Sequence, residues 1–272
     1  MNAADPGRGT LERLRDARAR GRKLLVPYLT AGYPDRARSA EALAGLAEAA
    51  VDAIELGVPF SDPLADGPVI AAASERAIAG GTSIADAFDL ATGYFRDGAD
   101  RPPLVLFTYM NPVAAMGAGG LADACAEAGI AAALIADLPY DEDSEIAGAL
   151  AGRGLPLIRL AAPTTPAGRL ADLARGAQGF VYLIARTGTT GAGAGTDARA
   201  AGQVAVIRAN TDLPVVVGFG IGDPESAIRA ARLADGVVVG SAFVERLGRD
   251  GPASAVGWLR SLREALDASG SV

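Results

Sequence analysis

The chain has 272 residues, 50% of them hydrophobic and 21% charged, a length that one α/β barrel fills as a single domain. A net charge of -7 and a pI near 4.8 give it no general attraction to nucleic acid or anionic membrane, so an anionic ligand must be held by local donors. It has no histidine and one cysteine, Cys125, which removes imidazole triads, His-ligated zinc and an intrachain disulfide framework.

Residues 1–22 are rich in arginine and lack the apolar run of a cleaved secretory signal; Leu11 to Arg20 reads as a helical extension. The elements then alternate. Strand Leu24 to Leu29 precedes helix Arg38 to Ala50, and strand Ala53 to Leu56 leads to a proline-rich loop and a further helix, Val69 to Ala79. Ser83 marks the start of helix Ile84 to Phe95. Strand Leu104 to Thr108 is followed by helix Leu121 to Ala128, strand Ala133 to Ala136 by helix Asp143 to Ala151, and strand Leu155 to Leu160 by helix Ala167 to Ala174. After strand Phe180 to Ile184, Asp197 marks helix Ala198 to Arg208; after strand Val215 to Gly218, Asp223 and Pro224 open helix Pro224 to Ala231. Strand Val237 to Val239 and a short helix complete the series.

Most of these strands are apolar throughout, as parallel strands covered on both faces are. About eight β-α units in one chain predict a closed (β/α)8 TIM barrel spanning 1–272 as one domain, with extra helices before the first strand and after the second. The longest apolar runs fall far short of the roughly 20 residues that cross a bilayer, and a cytoplasmic protein is expected.

In such a barrel the loops after the strands build the active site. Glu55 ends an otherwise apolar strand, so it points into the mouth, where desolvation raises a carboxyl pKa toward a general acid-base range. Its alternative reading is a carboxylate that caps a loop or pairs with an arginine. Asp66 follows on a loop kinked by Pro59, Pro63 and Pro68, and two carboxylates in unequal surroundings can take different proton roles. Asp62 is a third candidate, although a turn residue before Pro63 explains it as well. Glycine clusters at Arg186 to Ala192, Gly218 to Gly222 and Gly240 to Ala242 follow the last three strands, where backbone N–H groups and a helix start can cradle a phosphate. No metal site is expected, and Lys23 is the only lysine through which an imine could form.

The stretches "LLVPYLTAGYPD", "IELGVPFSDPLADGP", "FTYMNPV", "ADLPYDE", "APTTP", "GFVYLIARTGTTGA", "VVVGFGI" and "DGVVVGSAFV" resemble the tryptophan synthase alpha subunit, in family order from Leu24 to Val244. The resemblance implies cleavage of indole-3-glycerol phosphate to indole and glyceraldehyde 3-phosphate. It gives Glu55 the proton transfers at indole C3 and the side-chain hydroxyl, and Asp66 the positive charge on the indole nitrogen. It assigns the phosphate to Gly191, Gly220, Gly240 and Ser241, and the indole pocket to Tyr28, Phe107, Leu134, Tyr182 and Phe219. Phe107 and Leu134 read equally well as core residues. Thr190 is expected to meet Asp66 when its loop closes. This chain needs no cofactor of its own; pyridoxal phosphate belongs to a beta subunit, the expected partner in an α2β2 assembly. Pro59, Asp62, Asn111 and Pro139 match positions facing that subunit, where an ordinary turn reading also holds.

The sequence departs from the family pattern in the Gly- and Ala-rich "AGAGTDARAAG" after Gly191, at Ala71 for a common glutamine, and at Ala131-Ala132 for a usual Asp-Gly. Two further readings stay open: a stand-alone lyase releasing free indole, and a weakly catalytic partner that regulates a beta subunit.

Overall fold

The computed structural model describes residues 8–96, 98, 100–184, 193–218 and 220–269, without the side chains of 8–10 and 193–197. The strands are β1 (Leu24–Thr30), β2 (Ile54–Gly57), β3 (Leu104–Thr108), β4 (Ala132–Ile135), β5 (Arg159–Ala161), β6 (Val181–Ile184), β7 (Val215–Gly218) and β8 (Gly236–Val239). They pair in parallel in the order β4-β3-β2-β1-β8-β7-β6-β5. The two ends of that strip meet at one bridge, Ala133 to Leu157, with the Ala133 N–H donating to the Pro156 carbonyl (3.1 Å) and the Ile158 N–H to the Ala133 carbonyl (2.7 Å). This is the expected (β/α)8 TIM barrel.

Alternate residues along the strands enter two apolar clusters, as the two-residue side-chain period requires. Val26, Tyr28, Val105, Phe107, Leu134, Val216 and Val238 fill the barrel, while Leu25, Leu29, Leu56, Leu106, Val217 and Val237 pack beneath the helices. Helix α1 (Arg8–Ala19) sends Leu11, Leu14 and Ala17 into the interior cluster and so plugs the floor.

The surrounding helices are α2 (Arg36–Ala47), α3 (Pro68–Ala79), α4 (Ile84–Arg96), α5 (Met110–Glu127), α6 (Ser144–Ala151), α7 (Ala167–Arg175), α8 (Gly193–Arg208), α9 (Pro224–Leu233), α10 (Ser241–Asp250) and α11 (Pro252–Ser269). Asp223 caps α9 in a capping box with Ser226, and Pro224 occupies the first turn, as expected. Besides shifts of one to three residues at other ends and the unexpected final helix α11, three boundaries differ from the sequence reading. Helix α5 starts at Met110 rather than Leu121, and turns at Gly117, whose φ of 74° lies in the left-handed region; its glycines conceal the helical period. Helix α8 starts four residues before Asp197, at Gly193. Of the run from Leu155, Leu157 makes only the isolated bridge to Ala133, and strand β5 itself begins at Arg159.

Two carboxylates, Asp235 buried and Asp52 half-buried, knit the floor. Asp52, just before β2, accepts from the Leu25 N–H (2.8 Å), Arg22 (3.1 Å) and Arg263 (3.2 Å), the last reaching in from α11. Asp235, just before β8, accepts from the Val215 N–H (2.9 Å) and Arg208 (2.9 Å) and lies 3.2 Å from Arg18. Each satisfies a strand-end N–H and holds cations from neighbouring elements.

Candidate active site

At the opposite end of the barrel, a cavity of about 330 Å3 opens among the carboxyl ends of the strands. Glu55 enters it from β2, in register with Tyr28 of β1 and Val105 of β3. It is 1% exposed, and its Oε1 has no hydrogen-bond partner. Burial is the main cause that pushes its pKa up to about 8, and the nearby Asp66 adds to the rise. A carboxyl group in that state carries a proton at neutral pH and can also lose it, as an acid that must then act as a base requires.

Asp66 reaches the same cavity from the loop between β2 and α3, where its N–H bonds to the Pro63 carbonyl (3.1 Å). It is half-buried, and burial raises its pKa to about 6, with the Tyr109 hydroxyl offsetting part of the rise. Tyr109 itself is buried and stacks on Phe60 of that loop at 5.0 Å, its hydroxyl close enough to Asp66 to favour the ionised carboxylate although it falls short of full hydrogen-bond geometry. The two carboxyl groups thus occupy one pocket with unequal proton affinities, Glu55 protonated across the window from about 6 to about 8 in which Asp66 is ionised.

Aromatic rings wall this space. Tyr28 and Phe107 meet edge to face at 5.4 Å, and Tyr182 lines the opposite side from β6. Desolvation holds the Tyr28 and Tyr182 hydroxyls well above their ordinary pKa, so both stay protonated. Two glycines make room for them. A Cβ on Gly57 would overlap the Tyr28 hydroxyl, and one on Gly218 would stand 2.7 Å from the Tyr182 hydroxyl.

The far end is built from backbone. Gly220 and Gly222 follow β7, and Gly240 and Ser241 follow β8. Gly220 has φ 62°, a left-handed conformation that glycine adopts without strain. Helix α10 begins here with Gly240 at its cap and no side-chain cap, so the positive end of its dipole points at the cavity. Such donors suit a phosphoryl group.

Of the residues expected from sequence, Glu55, Asp66, Tyr28, Phe107, Tyr182, Gly220, Gly240 and Ser241 therefore surround one cavity. Leu134 does not line it; it is fully buried in the barrel beside Phe107, its register partner. Thr190, Gly191 and Phe219 lie outside the described residues. Pro59, Asp62, Asn111 and Pro139 all sit beyond the carboxyl ends of β2, β3 and β4; Asp62 and Asn111 are exposed, Pro139 is half-buried and Pro59 is buried. Lys23 precedes β1 at the floor, its ammonium bonded to the Ala234 carbonyl (3.0 Å), a strand length of about 20 Å from the mouth. It cannot form an imine in this cavity.

Sequence reasoning missed Ile70, Leu160, Ile221, Val238 and Glu245 as lining residues, and Tyr109 behind Asp66. Tyr109 was within reach of pattern: it continues the inward series Val105, Phe107 at the two-residue period.

The tryptophan synthase alpha chain family model matches residues 14–267. The tryptophan synthase alpha chain of Laribacter hongkongensis is 44% identical over 260 residues, 94% of this chain and 98% of that one. That of Synechococcus elongatus is 44% identical over 253 residues, 92% and 94% of the two chains. Among solved structures, tryptophan synthase subunit alpha from Legionella pneumophila superposes with a TM-score of 0.86 at 32% identity, covering 98% of this chain and 100% of that one. A chain of Mycobacterium tuberculosis tryptophan synthase gives 0.85 at 35% identity, with 94% and 97% covered. The cavity therefore lies in a protein that belongs to the tryptophan synthase alpha chain family, lyases of tryptophan biosynthesis.

Proposed function

We propose that the chain cleaves indole-3-glycerol phosphate to indole and glyceraldehyde 3-phosphate and hands the indole to a beta subunit that makes L-tryptophan. The observation that carries the reading is the buried Glu55 carboxyl, without a partner on Oε1, facing a half-buried Asp66 across an aromatic pocket with an anion-favouring end.

In this reading Glu55 gives its proton to indole C3, which turns the ring into an iminium-like electron sink. Asp66, ionised above about pH 6, stabilises the positive charge that develops on the ring nitrogen. The Glu55 carboxylate then takes the proton of the side-chain hydroxyl adjacent to C3. The oxygen's electron pair forms the aldehyde carbonyl, the C–C bond breaks, and its electrons restore the neutral indole, leaving Glu55 protonated as at the start. The step needs no metal or imine, and the chain is taken to carry no cofactor of its own.

Tyr28, Phe107 and Tyr182 hold the indole, and Gly220, Gly240 and Ser241 hold the phosphate, joined by Gly191. Phe219 adds to the indole wall, and Thr190 contacts Asp66 when its loop closes and excludes water. Leu134 supports the pocket by fixing Phe107 from behind. Pro59, Asp62, Asn111 and Pro139 face the beta subunit of an α2β2 assembly, Pro59 from a buried position in the rim. Pyridoxal phosphate resides in the partner. No helix among the described residues is long and apolar enough to cross a membrane, and a cytoplasmic site of action suits the reading.

The test is indole release from indole-3-glycerol phosphate by the purified chain, with and without a pyridoxal-phosphate beta subunit. Slow release that rises steeply with the partner is the expected result. Fast release unaffected by it would make the chain an independent lyase, and none from folded protein in either condition would make it a regulatory partner.

A further inference from the structure

The charged side chains lining the cavity, among the described residues, are Glu55, Asp66 and Glu245; no arginine or lysine joins them. Among the described residues, the favourable contacts for a phosphoryl group at that end come from backbone dipoles and one hydroxyl. Glu55 and Asp66 have roles in the proposed chemistry. Glu245 has none.

Glu245 stands one helical turn after Ser241 on α10, so both side chains project from the same face of the helix. It is an exposed carboxylate, 61% accessible, on the cavity wall beside the phosphate end. Among the described residues, the two arginines nearest it in sequence are engaged with other groups as well. Arg249, four residues on, donates to both oxygens of Asp250 at 2.9 and 2.7 Å and approaches Glu245 only to 4.0 Å. Arg246 lies over the Trp258 ring at 4.5 Å from its centroid. A carboxylate so placed opposes, through space, the field that the α10 amides and the Gly220 and Gly240 backbone supply.

We propose that Glu245 is a specificity-determining residue of this cavity: its weakly partnered carboxylate limits how tightly a phosphorylated ligand is held, and so keeps phosphorylated substrate and phosphorylated product both releasable. This rests on the reading of the cavity as a phosphate-ester site. The effect is electrostatic and solvent-exposed, so it acts on anionic ligands alone and fades as salt screens it.

The experiment measures the dissociation constants of glycerol 3-phosphate and of indole, by calorimetry on the full chain, for wild type, Glu245→Gln and Glu245→Lys at low and at 0.5 M salt. At low salt, Glu245→Gln should tighten glycerol 3-phosphate about three-fold and Glu245→Lys about ten-fold. The differences should collapse at high salt, with indole affinity the same in all three. A purely structural role for Glu245 would move indole and glycerol 3-phosphate together and would not follow the order of charge. Glycerol 3-phosphate affinity that is unchanged in both variants, while wild type still binds it, overturns this inference and leaves the phosphate site standing. Failure of all three proteins to bind it overturns the phosphate site and the inference together.

Discussion

The two ends of the barrel bury the same functional group and treat it in opposite ways. At the floor, Asp52 and Asp235 each accept a strand N–H and pair with two arginines, so nearly every lone pair is engaged. At the mouth, Glu55 is buried more deeply still, yet among the described residues it pairs with no cation and keeps an oxygen without a partner. Satisfied carboxylates fix the relative positions of β1, β2, β7 and β8; the unsatisfied one remains able to gain and lose a proton. What separates a structural from a reactive carboxyl here is the partner set: the most deeply buried of the three, Glu55, is the one left without cations among the described residues.

The comparison breaks most sharply at Glu55. Glu55→Gln keeps the shape and removes the proton, and indole release should fall by about 10²–10⁴-fold while glycerol 3-phosphate binding persists. Near-normal turnover in steady-state assays would remove Glu55 from the chemistry. The mirror-image change is Asp52→Ala, which takes one of two carboxylates from the buried Arg263, leaving it Asp267 and the Lys23 carbonyl. Stability should fall by about 1–3 kcal/mol in urea unfolding, as the Leu25 N–H and one Arg263 contact lose their acceptor, with turnover per folded molecule retained. Equal stability would mean that the floor network is not what ties α11 to the strand starts.

A subtler contrast comes from Gly57→Ala, where the new methyl overlaps the Tyr28 ring. Overpacking of this kind costs about 1–3 kcal/mol, and the displaced ring should raise KM for the indole substrate. A wild-type KM together with unchanged stability would show that the ring relaxes freely.

The smallest effect is in pH. Because Glu55 binds its proton more tightly in the folded chain than at its ordinary pKa of 4.5, folded protein holds more protons than unfolded between about 4.5 and about 8. Stability contributed by this group therefore declines as pH rises through that window. Glu55→Gln should flatten that slope, which denaturant titrations at pH 5 and pH 8 would reveal. The same values place the limbs of the kcat/KM profile near 6, from Asp66, and near 8, from Glu55. Tyr109→Phe, by removing the hydroxyl that favours ionised Asp66, should move only the acid limb, and upward; a fixed acid limb would detach Tyr109 from Asp66.

The mouth was far more legible in the sequence than the floor. A carboxylate closing an apolar strand and glycines after three successive strands are local patterns, and they led directly to Glu55, Gly220 and Gly240. The strands themselves were readable because they are apolar on both faces. The partners of Asp52, by contrast, lie 27, 30 and 211 residues away, at Leu25, Arg22 and Arg263, and no local period links them. Glu245 was hidden for a related reason: on an amphipathic helix an exposed glutamate looks like any solvated residue until the fold turns it toward a cavity. Helix α5 was read short because "MGAGG" carries too few large side chains to display a helical stripe.

The single bridge between β4 and β5 gives the ring a beginning and an end. A barrel closed evenly would shed its amide protons evenly, whereas this one has a seam, with β1 and β8 sitting farthest from it in the strip. Local opening should begin there and spread around the circumference, leaving β1 and β8 as the last strands to come apart. Glu55, Tyr28 and the α10 start all belong to β1, β2 and β8 or their immediate loops. The reacting carboxyl and the anion cradle are thus mounted on the portion of the circle least exposed to its own breathing, and the β4 side, where Pro139 stands, is the portion left free to yield to a neighbour.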